Sequence, residues 1–296
     1  MEEEWTPEQR VLLMALDAFK TTGHDYKVMM GGGEYGISVE SIGLELWLTN
    51  MIARAVAQPE SEWQRHVDRW LTAANDMIAQ GPVSHHSEAE ILGGIRTRLY
   101  PADLDPEGLS YARPFADGLV IGLAIDSPTT VSTVTTKSLP GLGLDVETLF
   151  RLGQANTDRE SIDEAFEIEE YGCRGLGGES YFVASRAANL ATLGEYVGPA
   201  PYGVAFGVPN RHALVFKTLD PDNWVDIIAI AQLVDSITID EDPETNPGGV
   251  LSPHLYYWAP DGTVELLGGR LTEMDGEMTL TARPGPAFGR FVLGDR

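Results

Sequence analysis

Lysine is nearly missing from this chain. Only Lys20, Lys27, Lys137 and Lys217 occur, and Lys and Arg together number 20 against 45 Asp and Glu, a formal net charge of −25. A surface so poor in cations excludes nucleic acid and anionic membranes as partners, because both are held by clustered Lys and Arg. Cysteine is scarcer still. Cys173 stands alone, so an intrachain disulfide and a cysteine-only zinc site are both ruled out. Long apolar runs are absent too: Leu119–Ile125 and Ile227–Ile230 are too short to cross a bilayer. The opening M-E-E-E-W is acidic where a secretory signal carries a basic segment. These absences predict a cytoplasmic protein with no membrane partner. What the chain has is length and apolar content, 296 residues at 43% hydrophobic, enough for a sizeable core. Its acidic excess keeps it soluble and favours basic proteins as partners.

The stretch Tyr111–Asp126 organises the reading. Arg113-Pro114 fixes its entry, an apolar run follows from Leu119 to Ile125, and Asp126-Ser127-Pro128 ends it. A short apolar run bounded by turn signals reads as a strand buried on both faces, and Gly118 and Gly122 weigh against a helix. Upstream, Thr6-Pro7-Glu8-Gln9 carries the features of a capping box with Pro at the first helical position, and Val11, Leu12, Ala15 and Phe19 follow at helical spacing. Tyr26–Met30 and Ile37–Val39 pair as a hairpin around three glycines, and Leu44–Leu48 alternates as a strand. Asn50–Ala57 reads as a helix. Ser61-Glu62-Trp63-Gln64 is a second capping box, opening a helix with Trp63, Val67, Trp70, Leu71 and Ala74 on one face. Ser87 caps a further helix that is expected to run toward Tyr100-Pro101. Residues 1–100 are thus expected to be mainly helical with a short hairpin, and the Pro- and acid-rich segment 101–108 to form a seam before an α+β domain over 101–296.

Downstream, 131–139 reads as extended, Asp145-Val146-Glu147-Thr148 begins a helix with acids at its positive end and Leu149, Phe150 and Leu152 inward, and Ser161–Glu164 starts a short acidic helix broken at Gly172. G-C-R-G-L-G-G over 172–178 is expected as a loop, Tyr181–Val183 as a strand and Ala187–Tyr196 as a helix. Tyr202–Val208 and His212–Phe216 are strands around Pro209-Asn210-Arg211, Asp222–Val234 is an amphipathic helix, and Leu255–Trp258 with Val264–Leu267 makes a hairpin at Pro260-Asp261-Gly262. The last dozen residues are expected to be partly mobile. The fold class that follows is α+β: a mixed or mainly antiparallel sheet covered by helices, with a helical N-terminal region.

Several patterns touch on chemistry. Residues 31–36, G-G-G-E-Y-G, match the dinucleotide fingerprint, but the alternating Ile37-Ser38-Val39 follows where the mechanism needs a helix N-terminus, so a glycine turn is expected and no cofactor. His85-His86 with Glu88 and Glu90 is the densest metal-capable group, yet it lacks converging ligands at metal spacing, and no metal site is expected. Asp240, Asp242, Glu244 and Asn246 alternate as in a calcium loop, with Thr245 and Leu251 where an EF-hand needs Gly and Glu. Cys173 adjoins Arg174, but no histidine base lies near it in sequence. Arg211 and His212 in the Pro-Asn turn, with Arg113, form a candidate anionic-ligand pocket.

Three stretches resemble a known family. Arg113-Pro114-Phe115 leads into Leu119–Asp126; the helix Leu149–Asn156 ends in Gln154-Ala155-Asn156; and Tyr181–Leu190 is followed by Gly207-Val208-Pro209-Asn210-Arg211-His212. Together they are similar to the YtpQ-like bacterial proteins, a domain family of unknown function, over roughly residues 110–235. Thr157 stands where that family has leucine. The resemblance implies a bacterial cytosolic α+β protein and carries no catalytic residues.

From these readings the leading expectation is a non-enzymatic intracellular binding protein, of immunity or regulatory type, that meets a basic protein. Residues 158–170 carry seven carboxylates against Arg159 alone, and six of them, Glu160, Asp163, Glu164, Glu167, Glu169 and Glu170, are the expected contact around the apolar anchor Phe166. The alternative is an enzyme or small-ligand binder with its pocket at Arg113, Arg211 and His212.

Overall fold

In the computed structural model, residues 5–31, 34–80, 87–127, 130–169, 172–223, 227–239, 249–274 and 277–294 are described. The chain begins with α1 (Pro7–Lys20), whose capping box is complete: the Thr6 hydroxyl accepts from the Gln9 amide, and the Gln9 side chain accepts from the Thr6 amide. Strands β1 (Lys27–Gly31), β2 (Glu34–Val39) and β3 (Leu44–Trp47) then form an antiparallel sheet. Helices α2 (Thr49–Val56) and α3 (Trp63–Gln80) pack with α1 on a core that includes Phe19, Ile37, Leu46, Ile52, Trp63 and Val67. The expected cap at Ser61 is replaced by a 3₁₀ turn, Glu60–Glu62, that feeds directly into α3.

The helix capped by Ser87, α4 (Glu88–Gly94), stops sooner than expected. Ile95, Thr97 and Leu99 alternate with Arg96 and Arg98, and this period of two takes over as β4 (Ile95–Pro101). It pairs residue for residue with β6 (Leu119–Asp126), from Ile95 opposite Ile125 to Pro101 opposite Leu119. Strands β5 (Arg113–Ala116) and β7 (Val131–Thr133) complete this four-stranded antiparallel sheet. β6 is therefore the hub of the smaller sheet. Its two faces are not fully covered, because Val120 and Ile121 are half-buried while Leu119, Leu123, Ala124 and Ile125 are buried. Helix α5 (Val146–Thr157), capped by Asp145, lies on β4. The close approach requires Gly153, where a Cβ would sit 3.1 Å from both the Arg96 carbonyl carbon and the Thr97 amide.

The larger sheet has seven antiparallel strands. β8 (Glu164–Ile168), β9 (Cys173–Gly177), β10 (Val204–Gly207), β11 (Ala213–Thr218), β12 (Leu255–Trp258), β13 (Val264–Met274) and β14 (Glu277–Ala282) lie in the spatial order β14-β13-β12-β10-β11-β9-β8. Its alternation is clean. Val204, Phe206, Leu214, Phe216 and Tyr256 share a core with Leu99 and Leu119 of the smaller sheet. Ala205, Val215, Leu255 and Tyr257 face the other way, onto α7 (Ile227–Ile239).

Five expectations are overturned here. The acidic helix at Ser161–Glu164 gives way to the edge strand β8, which pairs with β9 from Glu164 opposite Gly177 to Ile168 opposite Cys173. The glycine loop at 172–178 is mostly β9 itself. The strand at 181–183 is a turn, and the helix after it is a 3₁₀ segment (Ala184–Leu193) kinked at Asn189, with only the four-residue α6 (Gly194–Val197) beyond. The segment 286–292 is packed rather than loose: Ala287, Phe288 and Val292 are buried, and the Glu265 carboxylate accepts from the Ala287 and Phe288 amides. The α+β class stands, and every strand pairing among the described residues is antiparallel.

Candidate functional site

The acidic segment between α5 and β9 divides into two parts. Glu160 and Asp163 serve the fold. Glu160 forms a 2.6 Å ion pair with Arg96, accepts from the Ser180 hydroxyl, and its backbone carbonyl accepts from buried Arg186. Both Arg96 and Glu160 are largely shielded, so removing either strands a charge away from water. Asp163 accepts from the Glu179 amide and closes the turn after β9. Beyond them Glu164, Phe166 and Glu167 stand exposed on β8, and Glu169 follows at its end; Glu170 lies outside the described residues. Phe166 lies over β9, opposite Gly175, where a Cβ would overlap its ring. That clearance is what the glycines of β9 provide, and the ring remains 39% exposed. Glu167 meets its cross-strand neighbour Arg174 at 3.1 Å.

The candidate ligand residues separate. Arg211 and His212 gather around Tyr181: the Arg211 guanidinium is 5.7 Å from the ring centre and the His212 ring 5.0 Å. The His212 amide donates to the Asn210 side chain, and its Nδ1 lies 3.1 Å from the Gly178 carbonyl. Burial pushes Arg211 down to about 10, with the charge of Arg98 adding to the effect. Arg211 stays protonated at neutral pH, held in a desolvated turn. Arg113 is elsewhere. It extends from β5 over the face of Phe150 at 3.9 Å, pairs with Glu147 at 2.6 Å, and lines a cavity that includes neither Arg211 nor His212.

The remaining motifs resolve simply where they are described. β2 follows the glycine run and Gly36 is inside it, so no helix N-terminus faces a nucleotide there. Gly32, Gly33, His85 and His86, and the Asp240–Asn246 pattern lie outside the described residues. Glu90 accepts from the Ser87 amide and hydroxyl as a capping box. Cys173 is buried at the start of β9, and burial pushes its thiol up despite the charge of Lys217; it is not poised as a thiolate.

Two features escaped the sequence reading. One is the Arg96–Glu160 pair, 64 residues apart, which no local pattern signals. The other is the set of α5 side chains around Arg113. Glu147, Arg151 and Gln154 lie at helical spacing, and placing them on a helical wheel would have shown a polar face with a second arginine.

Comparison with family models, with curated proteins and with solved structures finds no match. No described helix is long and apolar enough to cross a membrane.

Proposed function

We propose that this chain is a non-enzymatic binding protein of the cytoplasm, of immunity or regulatory type, that presents β8 to a basic extended segment of a partner protein. The observation that carries the reading is the position of β8. Among the described residues it is the last strand of the seven-stranded sheet and pairs only with β9, and Glu164 through Glu167 are exposed. An edge strand leaves amide and carbonyl groups ready for another strand, and strand addition is a recurrent way of holding a peptide. Charged residues on an edge also guard it against aggregation. Carboxylates of a single sign do both: they repel this acidic chain's own copies and attract a lysine-bearing strand. The buried, protonated thiol of Cys173 supports a binding role over nucleophilic chemistry. The resemblance of residues 110–235 to the YtpQ-like bacterial family is part of the same proposal, and that region includes β8 and β9.

The test is titration with a short peptide alternating lysine and valine, read by amide hydrogen exchange. Binding should protect residues 164–168, weaken with added salt, and fall in Glu164→Lys/Glu169→Lys. Glu167 is left intact in that variant because a lysine there would face Arg174. Saturating peptide that leaves 164–168 unprotected would overturn the proposal.

A further inference from the structure

The cavity beside Arg113 points to a second, separate binding site. Its volume is about 360 Å³, within the range of small-ligand pockets. β5 and β6 supply Arg113 and Ile121, and α5 supplies Phe150, Arg151 and Gln154. The floor is fixed. Thr97 is buried, its hydroxyl donates to the Gln154 amide oxygen, and the Gln154 nitrogen donates to Asp158.

The cations are poised rather than consumed. The Arg113 guanidinium carbon lies 3.9 Å from the centre of the Phe150 ring, a cation–π contact that helps hold it in place. Glu147 takes one of its nitrogens, but the two side chains are 42% and 79% exposed. A pair so open to water is weak and easily displaced, and a guanidinium has five N–H donors to share. Arg151 has no hydrogen-bond or ion-pair partner among the described residues. Two guanidiniums against one carboxylate leave this cavity positive on a chain of net charge −25. Gly153 and Thr157 already hold α5 to β4, and Arg151 takes no part in that contact.

We infer that the cavity between β5, β6 and α5 binds a small organic monocarboxylate, with Arg113 and Arg151 on the carboxylate and Phe150 and Ile121 on a flat apolar body. The net excess of one positive charge matches a monoanion. The planar guanidinium fork matches a carboxylate edge. A phosphate dianion would meet Glu147 with too little compensating charge.

Benzoate is the probe, followed by amide chemical shifts, with neutral benzamide and inorganic phosphate as controls. Benzoate should shift residues 113, 121 and 147–154. Arg151→Gln, an exposed change that spares the core, should weaken binding roughly tenfold, the usual loss of one charge-assisted contact. Glu147→Gln should act in the opposite sense and tighten it several-fold, because it removes the internal competitor for Arg113. A site that merely depended on fold integrity would not give opposite signs. Benzamide binding as well as benzoate, phosphate binding in preference to it, both variants moving affinity the same way, or no localised shifts at saturating benzoate would each overturn the assignment.

Discussion

His212 illustrates how a single side chain couples the turn before β11 to pH. Burial depresses its pKa, the Gly178 carbonyl partly restores it, and Arg211 lowers it again. The folded protein thus favours the neutral ring, whereas the unfolded chain titrates at the ordinary value of about 6.5. Above that value the ring is neutral in both states and contributes nothing to the pH dependence. As pH falls below it, the unfolded chain binds the proton first, so stability drops until the depressed folded pKa is reached. His212→Gln should lose this component. Its melting temperature relative to wild type should therefore rise as pH falls below about 6.5. Carboxylates titrate in the same range in both proteins, which makes the difference between them the quantity to measure. A difference that stays constant would remove His212 from the acid response.

At the scale of elements, legibility followed local chemistry. Helices α1, α4 and α5 were readable at their starts because Thr6, Ser87 and Asp145 make their capping bonds with residues three positions on. Strands β4, β8 and β9 were lost for different reasons. Arg96 and Arg98 alternate correctly with Ile95, Thr97 and Leu99, but the capping box just upstream suggested a longer helix. Ser161-Ile162-Asp163-Glu164 resembles a helix start, yet Asp163 turns to the Glu179 amide instead. The glycines of β9 are poor strand formers, and the strand is held by pairing with β8 and β11, with Phe166 filling the space above Gly175. Of the site, Glu164, Phe166 and Glu167 were legible as an exposed acidic group, but their edge position was not, since it depends on pairing across the sheet. β6 was read correctly as an apolar strand, and the structure grades its residues. Leu123 is fully buried under α5, while Ile121 keeps part of its surface in water. Leu123→Ala should cost about 2–5 kcal/mol and Ile121→Ala about 1–2 kcal/mol, both measurable by urea denaturation. Equal costs would mean that the cover over Ile121 is tighter than its exposure implies.

Across the whole molecule, apolar contact is unevenly shared. Ile121 touches both the core between the sheets and the core under α5. The seven-stranded sheet carries the first of these on one face and the α7 core on the other. These three cores are thereby tied into one structure. Among the described residues, the core formed by residues 11–78 shares no side chain with any of them, and the principal packing partners of α1, α2 and α3 lie within that segment. Arg54 of α2 brings a like charge to this boundary, lowering the pKa of both Arg211 and His212. Burial gives cooperativity only where it is shared, so the segment before α4 should open separately from the rest. Tryptophan distribution makes this visible. Trp5, Trp47, Trp63 and Trp70 belong to the first eighty residues, four of the six in the chain, whereas far-ultraviolet circular dichroism senses every helix and strand. In a urea titration, fluorescence and dichroism should therefore follow different curves. Trp258→Phe should leave the fluorescence midpoint in place, since Trp258 packs in the core between the sheets. Coincident transitions by both probes would show a single cooperative unit, and would mean that contacts outside the described residues bind the two parts together.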